Sequence, residues 1–387
     1  MDFTFSADQL AIREAIEKLC RQFDAQYWLD RDRSGEFPED FYRAIADAGW
    51  LGIAMPVEHG GSGLGVVEAA LMMQAIAASG AGFSGASAVH MNIWGLNPVV
   101  VFGTPEQKKR WLPPLIRGEQ KACFAVTEPN SGLNTAKLES TARRSGSGYM
   151  LRGRKIWIST AQVANKMLIL ARTGPSLSGK PTDGLSLFYT DFDRRYVEAK
   201  EIDKMGRAAV DSNMLFIEDL PVPEADRVGE EGKGFDCILH GLNPERILVA
   251  AEAVGLGRAA LARAVAYAGE RNVFDRPIGK NQAIQHPLAQ CWMELEAAHL
   301  MVFKAASLYD RGEPCAAEAN AAKYLGSEAC FRTCEQAVLT LGGMGYAKEY
   351  HVERYLREAM IPRLAPVSQQ LILCYIAEKV LGLPKSY

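Results

Sequence analysis

Glu245 follows an Asn-Pro pair in the segment GLNPERILVAAEAV, a spacing that places a carboxylate where it could act as a base. We predict that Asn243 is the N-cap and Pro244 the first residue of a long helix, because these residue types favour those positions. The helix dipole would then favour an ionised carboxylate in the first turn. A base held in this way stays ionised when a substrate excludes water. Acidic residues also favour first turns as simple caps, so a structural role for Glu245 is the alternative.

Several common catalytic patterns do not occur in the sequence. No GxGxxG motif leads from a predicted strand into a helix, and the sequence contains no GxxxxGK[ST], HExxH or GxSxG motif, so phosphate-loop nucleotide binding, zinc hydrolysis and serine esterase chemistry lose support. The eight cysteines form no CxxC pair and no zinc-type spacing. We expect free, buried thiols in a reducing compartment and no metal site. Cys330 and Cys334, one helical turn apart, leave a weaker metal or redox alternative.

The composition is that of a globular protein. The 387 residues are 48% hydrophobic and carry a net charge of -3, without a basic block that would bind nucleic acid or anionic lipid. The stretch from Glu68 to Glu106 encloses no Asp, Glu, Lys or Arg, but its glycines and Pro98 break it into pieces too short to span a membrane. The N-terminal MDFTFSADQL shows no export signal. We therefore expect a cytoplasmic protein with buried helices and no membrane span.

The order of elements predicts an α+β fold. Residues 1–120 have helical periodicity, with capping signals at Ser6 and Gln9 and at Thr104 and Gln107. Residues 121–230 contain short β-rich runs separated by turn residues, and helical patterning returns from about Phe235 within residues 231–387. We predict an N-terminal helical domain, a middle β-strand domain and a C-terminal helical bundle with these boundaries.

Five separated stretches resemble one family in its own order. They are GWLGIAMPVEHGGSGLG (49–65), FAVTEPNSGLNT (124–135), KIWIST (155–160), ERNVFDRPIGKNQAIQHPLA (270–289) and LGGMGYAKEYHVERYLREAMI (341–361). Over essentially its whole length, the chain resembles the FAD-dependent acyl-CoA dehydrogenases.

This resemblance implies an FAD site in which Trp157 forms a flat wall beside the flavin and Ser159 lies near flavin N5. Arg271, Phe274 and Gln282 resemble a group that reaches the FAD of a neighbouring subunit. The implied cofactor-binding residues are Phe124, Val126, Thr127, Gly132, Trp157, Ile158, Ser159, Arg271, Phe274, Gln282, Gly342, Gly343 and Ser368, and the implied substrate-binding residues are Leu133, Asn243 and Arg246.

The resemblance also implies a reaction, the dehydrogenation of a saturated acyl-CoA thioester to the trans-2-enoyl-CoA. Many members carry the base as Glu in a Tyr-Glu-Gly-Thr turn, which here reads Ala365-Pro366-Val367-Ser368. A subgroup resembling isovaleryl-CoA and long-chain acyl-CoA dehydrogenases carries it in a Leu-x-x-Glu-Arg context, which matches Glu245 and Arg246. We therefore predict that Glu245 abstracts the α-proton while flavin N5 accepts the β-hydride.

Pro366 leaves one question open, because the family uses a backbone N–H at that position to hold the thioester oxygen and proline has none. Either Val367 donates instead, or other donors suffice, or the reaction differs.

The expected partners are an acyl-CoA substrate, an electron-transferring flavoprotein and copies of the same chain in a tetramer or dimer of dimers. Three alternatives stay open: an oxidase or flavin monooxygenase, an enoyl-CoA-reducing relative, and a catalytically silent structural paralogue.

Overall fold

The N-terminal part of the chain is helical. The structure, a computed structural model, describes residues 4–176 and 179–386. Its first seven α-helices are α1 (Ala7–Cys20), α2 (Ala25–Ser34), α3 (Glu39–Asp47), α4 (Val66–Ile76), α5 (Gly82–His90), α6 (Asn97–Phe102) and α7 (Pro105–Ile116). Both predicted capping boxes are confirmed: Ser6 caps α1 with Gln9, and Thr104 caps α7 with Gln107.

A sheet follows these helices. Its strands are β1 (Ala122–Ala125), β2 (Thr141–Ser145), β3 (Gly148–Ser159), β4 (Lys166–Arg172), β5 (Leu185–Asp191), β6 (Val197–Glu201), β7 (Ser212–Pro223) and β8 (Arg227–Val228). The spatial order is β6-β7-β3-β2-β4-β5-β8, and β1 pairs with β4 in parallel. One face packs against α6 and α7, and the other face holds a second apolar cluster.

The rest of the chain is helical again, apart from one short hairpin. The elements are α8 (Gly234–Glu270), β9 (Asn272–Val273), β10 (Arg276–Pro277), α9 (Gln282–Asp310), α10 (Ala316–Leu341), α11 (Val352–Glu358), α12 (Ile361–Leu364) and α13 (Gln369–Tyr375). Helices, sheet and helices in this order confirm the predicted α+β class.

The prediction that a helix begins at Asn243 and Pro244 is wrong. Both residues lie inside α8, a 37-residue helix that already begins at Gly234. The residues before Asn243 are helical because Cys237 and Ile238 are buried in the apolar cluster below α6 and α7. This burial outweighs the local preference of Asn and Pro for a helix start.

The two helical parts share one core. Buried side chains of α1, α4 and α5 pack with those of α8, α9 and α10 in a single cluster. Helices α8 and α4 approach each other so closely at Gly255 that a side chain does not fit. A Cβ added to Gly255 of α8 would lie 2.3 Å from the carbonyl oxygen of Gln74 in α4. This contact fixes α8 against the N-terminal helices that surround the candidate site.

One helical run, Val66–Phe102, is long and apolar enough to cross a membrane by length and composition alone. Within the structure, 72% of its apolar window is buried against other parts of the protein. The run is interrupted by π-helical turns at Ala77–Ala81 and Met91–Gly95. It therefore serves as core-forming helices, as the glycine pattern predicted.

Candidate active site

Glu245 projects from α8 toward α5. Its Oε2 atom lies 2.8 Å from Nε2 of His90, the last residue of α5, and its side chain is 24% exposed. Glu245 is thus half-buried and tethered through one oxygen, and its second oxygen is not engaged by any described residue. The helix dipole does not act on it as predicted, because Glu245 lies far from both ends of α8.

His90 bridges two carboxylates. Its Nδ1 atom lies 2.6 Å from Oε1 of Glu252, which is buried on the same helix as Glu245. Burial lowers the pKa of the imidazole, but the carboxylates of Glu245 and Glu252 outweigh this and raise the pKa of His90 well above its ordinary value. The imidazole is therefore held as a cation between the two carboxylates.

Two irregular turns set the orientation of α5. The π-helical turn Ala77–Ala81 precedes α5 and the π-helical turn Met91–Gly95 follows directly after His90. A π-helical turn accommodates an extra residue in the helical path and often occurs at functional sites. Between the two turns, α5 contacts Glu245 of α8 through His90 and Arg207 through Ser87.

Trp157 forms a flat aromatic wall on the sheet. The pairing of β3 with β7 shifts register between Lys155 and Ile158, so this part of β3 contains a bulge. Trp157 lies in the bulge with a positive φ of 62°, and its side chain is 57% exposed. A large aromatic residue in this sparsely populated conformation is typical of a ligand site.

Ser159, two residues beyond Trp157, is connected to α5. Arg207 of the β6–β7 loop donates from Nη2 to the Ser159 hydroxyl at 2.8 Å and from Nη1 to the Ser87 hydroxyl of α5 at 3.1 Å. Ser87 and His90 lie on one face of α5, since residues three apart are neighbours on a helix. Arg207 therefore joins the surface around Trp157 to the helix that contacts Glu245.

A buried ion pair stabilises the contact between β3, near Trp157, and residues 126–128. Lys155 lies 2.8 Å from Glu128 and also donates to the Val126 carbonyl oxygen at 3.1 Å. Burial lowers the pKa of Lys155 to about 8, although Glu128 opposes this shift. The Thr127 carbonyl oxygen accepts from the backbone N–H of Ile156, so residues 126–128 are fixed along β3.

The uncharged segment 365–368 is anchored near Arg246, the residue that follows Glu245. Lys323 donates to the Val367 carbonyl oxygen at 2.6 Å, and burial together with the nearby Arg246 lowers the pKa of Lys323 to about 7. Arg246 also donates to Asn243 at 3.2 Å. No described residue accepts from the Val367 N–H, whereas Ser368 caps α13.

The predicted site residues fall into three groups. The first is at least partly accessible to solvent, and comprises Thr127, Trp157, Ser159, Asn243, Glu245, Arg246 and Ser368. The second is largely buried and can offer mainly backbone atoms: Val126 and Ile158 lie in apolar clusters, and Phe124 packs against one. The third is exposed and comprises Gly132, Leu133, Arg271, Phe274, Gln282, Gly342 and Gly343.

The exposed group fits a large planar cofactor approached from outside the protomer. A Cβ added to Gly132, Gly342 or Gly343 would meet no atom within 4 Å, so these backbones border open space. Phe274, at the tip of the β9–β10 hairpin, is 94% exposed. Together with the exposed indole of Trp157, these features suit the stacking surface and backbone donors that a flavin requires.

Sequence reasoning missed His90, Glu252 and Arg207. His90 is the one ionisable residue of any type between Glu68 and Glu106, and such a buried histidine needs a charged partner from elsewhere. Glu252 follows Glu245 by two helical turns in an otherwise apolar stretch. Those two signals were available, but nothing in the sequence indicates that Arg207 reaches across to α5.

Comparison with known proteins agrees with this architecture. The chain matches the models "Acyl-CoA dehydrogenase, N-terminal domain" at residues 6–119, "middle domain" at 123–220 and "C-terminal domain" at 232–380. It is 38% identical to acyl-CoA dehydrogenase FadE12 of Mycobacterium tuberculosis, covering 100% of this chain and 99% of the relative. It is 36% identical to the caffeyl-CoA reductase-Etf complex subunit CarC of Acetobacterium woodii, covering 89% and 92%.

Among solved structures, the FAD complex of PigA superposes with a TM-score of 0.93 at 25% identity, covering 99% of this chain and 100% of PigA. Three consecutive domain matches and the full-length relative at 38% identity settle the classification. The chain therefore belongs to the acyl-CoA dehydrogenase family of oxidoreductases.

Proposed function

We propose that the protein dehydrogenates a saturated acyl-CoA thioester to the trans-2-enoyl-CoA, with FAD as cofactor and Glu245 as the base. The observation that carries this proposal is the Glu245 carboxylate, which is half-buried and tethered through one oxygen to His90. The segment 365–368, where many relatives have the base, contains no ionisable side chain. Glu245 is therefore the base, as in the subgroup that carries it in the earlier helix.

The chain's own residues position the reaction. Bound FAD supplies the acceptor for the β-hydride. Glu245 takes up the α-proton on Oε1, while His90 holds Oε2. The Val367 N–H, which pairs with no described residue, donates to the thioester oxygen and so acidifies the α-carbon. Lys323 fixes this donor through the Val367 carbonyl.

The cofactor is held at two places. Trp157 would offer its exposed indole to the flavin, and the hydroxyls of Thr127 and Ser159 with nearby backbone atoms would bind polar groups of the cofactor. Arg271, Phe274 and Gln282 of a second copy, with Gly342 and Gly343, would bind its adenosine end, and the exposure of all five residues supports this assignment. FAD binding and assembly into a tetramer or dimer of dimers are then coupled.

The electrons pass to an electron-transferring flavoprotein. The support is the similarity to CarC, whose name places that protein in a complex with Etf. We assign the protein to the cytoplasm, where the eight free cysteines stay reduced.

The test is an anaerobic titration of FAD-loaded protein with straight and branched saturated acyl-CoA thioesters, followed by flavin absorbance. The wild type should bleach with at least one thioester, and Glu245→Gln should lose bleaching by at least about 1000-fold in rate while retaining FAD and thioester binding. Equal bleaching by wild type and Glu245→Gln would remove Glu245 as the base.

A second candidate is reduction of an enoyl-CoA, which the 36% identity to a caffeyl-CoA reductase subunit favours. The same protein, photoreduced and mixed with a trans-2-enoyl-CoA, distinguishes the two directions. Rapid reoxidation by the enoyl thioester, together with an oxidised flavin across the saturated panel, would assign the protein as a reductase.

A further inference from the structure

Glu245 and Glu252 lie on one face of α8, because seven residues are close to two helical turns. Two turns separate the Cα atoms of these residues by roughly 10 Å along the axis, and their side chains lean toward each other so that one imidazole ring from a neighbouring helix contacts both carboxylates. His90 does so from α5, with contacts of 2.8 Å to Glu245 and 2.6 Å to Glu252. The three side chains thus form a carboxylate–imidazole–carboxylate row.

Between two ionised carboxylates, the protonated imidazole is the form of His90 that satisfies both contacts. A neutral imidazole has one N–H, so its other nitrogen would direct a lone pair at a carboxylate oxygen. Both nitrogens of His90 are within hydrogen-bond distance of carboxylate oxygens. His90 therefore donates from both nitrogens as an imidazolium, and the row carries one net negative charge.

We propose that His90, held by the buried carboxylate of Glu252, is a positioning residue for Glu245: it orients the base and keeps it ionised when substrate excludes water. This inference rests on the proposed function of Glu245. A half-buried carboxylate without a nearby cation becomes protonated more readily. Because Glu245 lies inside α8, no helix N-terminus supplies that positive potential.

The other cations of this region form their hydrogen bonds elsewhere, although burial, which lowers the pKa of Arg246, is opposed by the charge of Glu245. Arg246 donates to Asn243, and Lys323 donates to the Val367 carbonyl oxygen. Among residues 4–176 and 179–386, no lysine or arginine forms an ion pair with Glu245, so His90 supplies the direct positive contact.

Three further charged groups face this region, from the loop before β7 and from α11. Arg207, in the loop before β7, is near enough to Glu252 for that carboxylate to raise its pKa, although burial lowers it. Arg354 and Glu358 of α11 form a buried pair at the opposite end of α5, where Glu358 accepts from the Phe83 N–H at 2.6 Å. None of these three contacts His90, so they form a charged background that is the same in every variant tested below.

The experiment compares FAD-loaded wild type, His90→Gln and Glu252→Gln. Stopped-flow flavin bleaching by an active saturated thioester is measured between about pH 5.5 and 9.5. In His90→Gln, the acid limb of the rate profile should move upward by about 1 pH unit or more, because the base loses its adjacent cation. In Glu252→Gln, the rate should fall near neutral pH, where His90 would now lose its proton. His59→Gln, a histidine outside the site, is the matched control and should keep the wild-type profile.

A purely structural role for His90 would lower the rate by the same factor at every pH, and that result would overturn the proposal. A second measurement does not depend on turnover: ¹³C NMR of ring-labelled histidines in the FAD-loaded protein, with the His90 signal assigned from its loss in His90→Gln. In wild type, this signal should stay in the protonated position through about pH 8, and in Glu252→Gln it should titrate near its ordinary pKa. Titration near about 6.5 in both proteins would overturn the proposal.

The two measurements separate failure of this inference from failure of the proposed function. If no thioester bleaches the wild-type flavin but the His90 signal behaves as expected, the charged row exists and the assigned reaction is wrong. If wild type is active and the His90 signal titrates normally, the reaction stands and the positioning role is excluded.

Discussion

At the scale of single residues, the positive group beside Glu245 is not the one that the sequence suggests. The sequence suggests that a helix N-terminus stabilises the Glu245 carboxylate, whereas in the structure a cationic histidine lies against it. A histidine differs from a helix dipole because it can lose its charge within an accessible pH range. The contact with His90 therefore makes both the ionisation of the base and the stability of the folded state depend on pH.

The first consequence concerns stability. The pKa of His90 is raised in the folded protein, so His90 stabilises the fold fully below its unfolded pKa of about 6.5, and this contribution is lost as the pH rises through the folded pKa. Each unit of difference between the two pKa values contributes about 1.4 kcal/mol. We expect the melting temperature of wild type to exceed that of His90→Gln by a margin that shrinks as the pH increases above about 6.5.

The difference between the two proteins is the quantity to measure, because other groups have the opposite sign. Burial lowers the pKa of Lys155 and of Lys323, so both oppose folding, and this cost decreases as the pH rises. Subtracting the His90→Gln curve from the wild-type curve removes these contributions. A margin that stays constant from about pH 6 to 9 would show that His90 is not held as a cation.

At the scale of elements, the sequence predicted helix starts correctly where the capping hydrogen bonds form between residues close together in the chain. The capping boxes at Ser6 and Thr104 were predictable because each is completed within four residues. The start of α8 was not predictable from Asn243, because the preceding residues become helical through burial against distant parts of the chain. Likewise, the exposure of Trp157 depends on a register shift with β7.

The packing of α8 gives an element-scale prediction with an internal control. A Cβ at Gly255 would meet the Gln74 carbonyl oxygen at 2.3 Å, and backbone cannot easily move away. Gly255→Ala should therefore destabilise the protein by about 1–3 kcal/mol or more. Gly269 lies in the same helix with no atom within 4 Å of an added Cβ, so Gly269→Ala should be neutral or stabilising by up to about 1 kcal/mol.

Thermal unfolding of the two FAD-loaded variants measures this contrast. Since α8 also carries Glu245 and Glu252, a displaced α8 in Gly255→Ala should reduce flavin bleaching as well as stability. Equal melting temperatures for Gly255→Ala and Gly269→Ala would mean that α4 and α8 are not in the close contact described here.

At the scale of the whole molecule, the surface carries apolar groups that a single protomer leaves uncovered. Phe274 is 94% exposed at the hairpin tip, and Leu339 and Tyr346 are exposed around the end of α10. Both hairpin-tip residues, Phe274 and Asp275, have positive φ angles of 53° and 59°, a strained turn that projects the aromatic ring outward. An aromatic side chain held in this way is suited to insertion into a second copy of the chain.

We therefore expect Phe274→Ser to weaken both assembly and FAD retention. Burying a phenylalanine at an interface contributes about 1.5–3 kcal/mol for each copy, so its loss should raise the protein concentration needed for assembly by tenfold or more. Light scattering and the ratio of bound FAD to protein, measured over a dilution series, report the two properties together. Val57→Ser removes another exposed apolar residue, from the N-terminal helical part, and should change neither. If FAD stays bound while Phe274→Ser dissociates to single chains, each protomer holds its cofactor alone, and the hairpin serves assembly only.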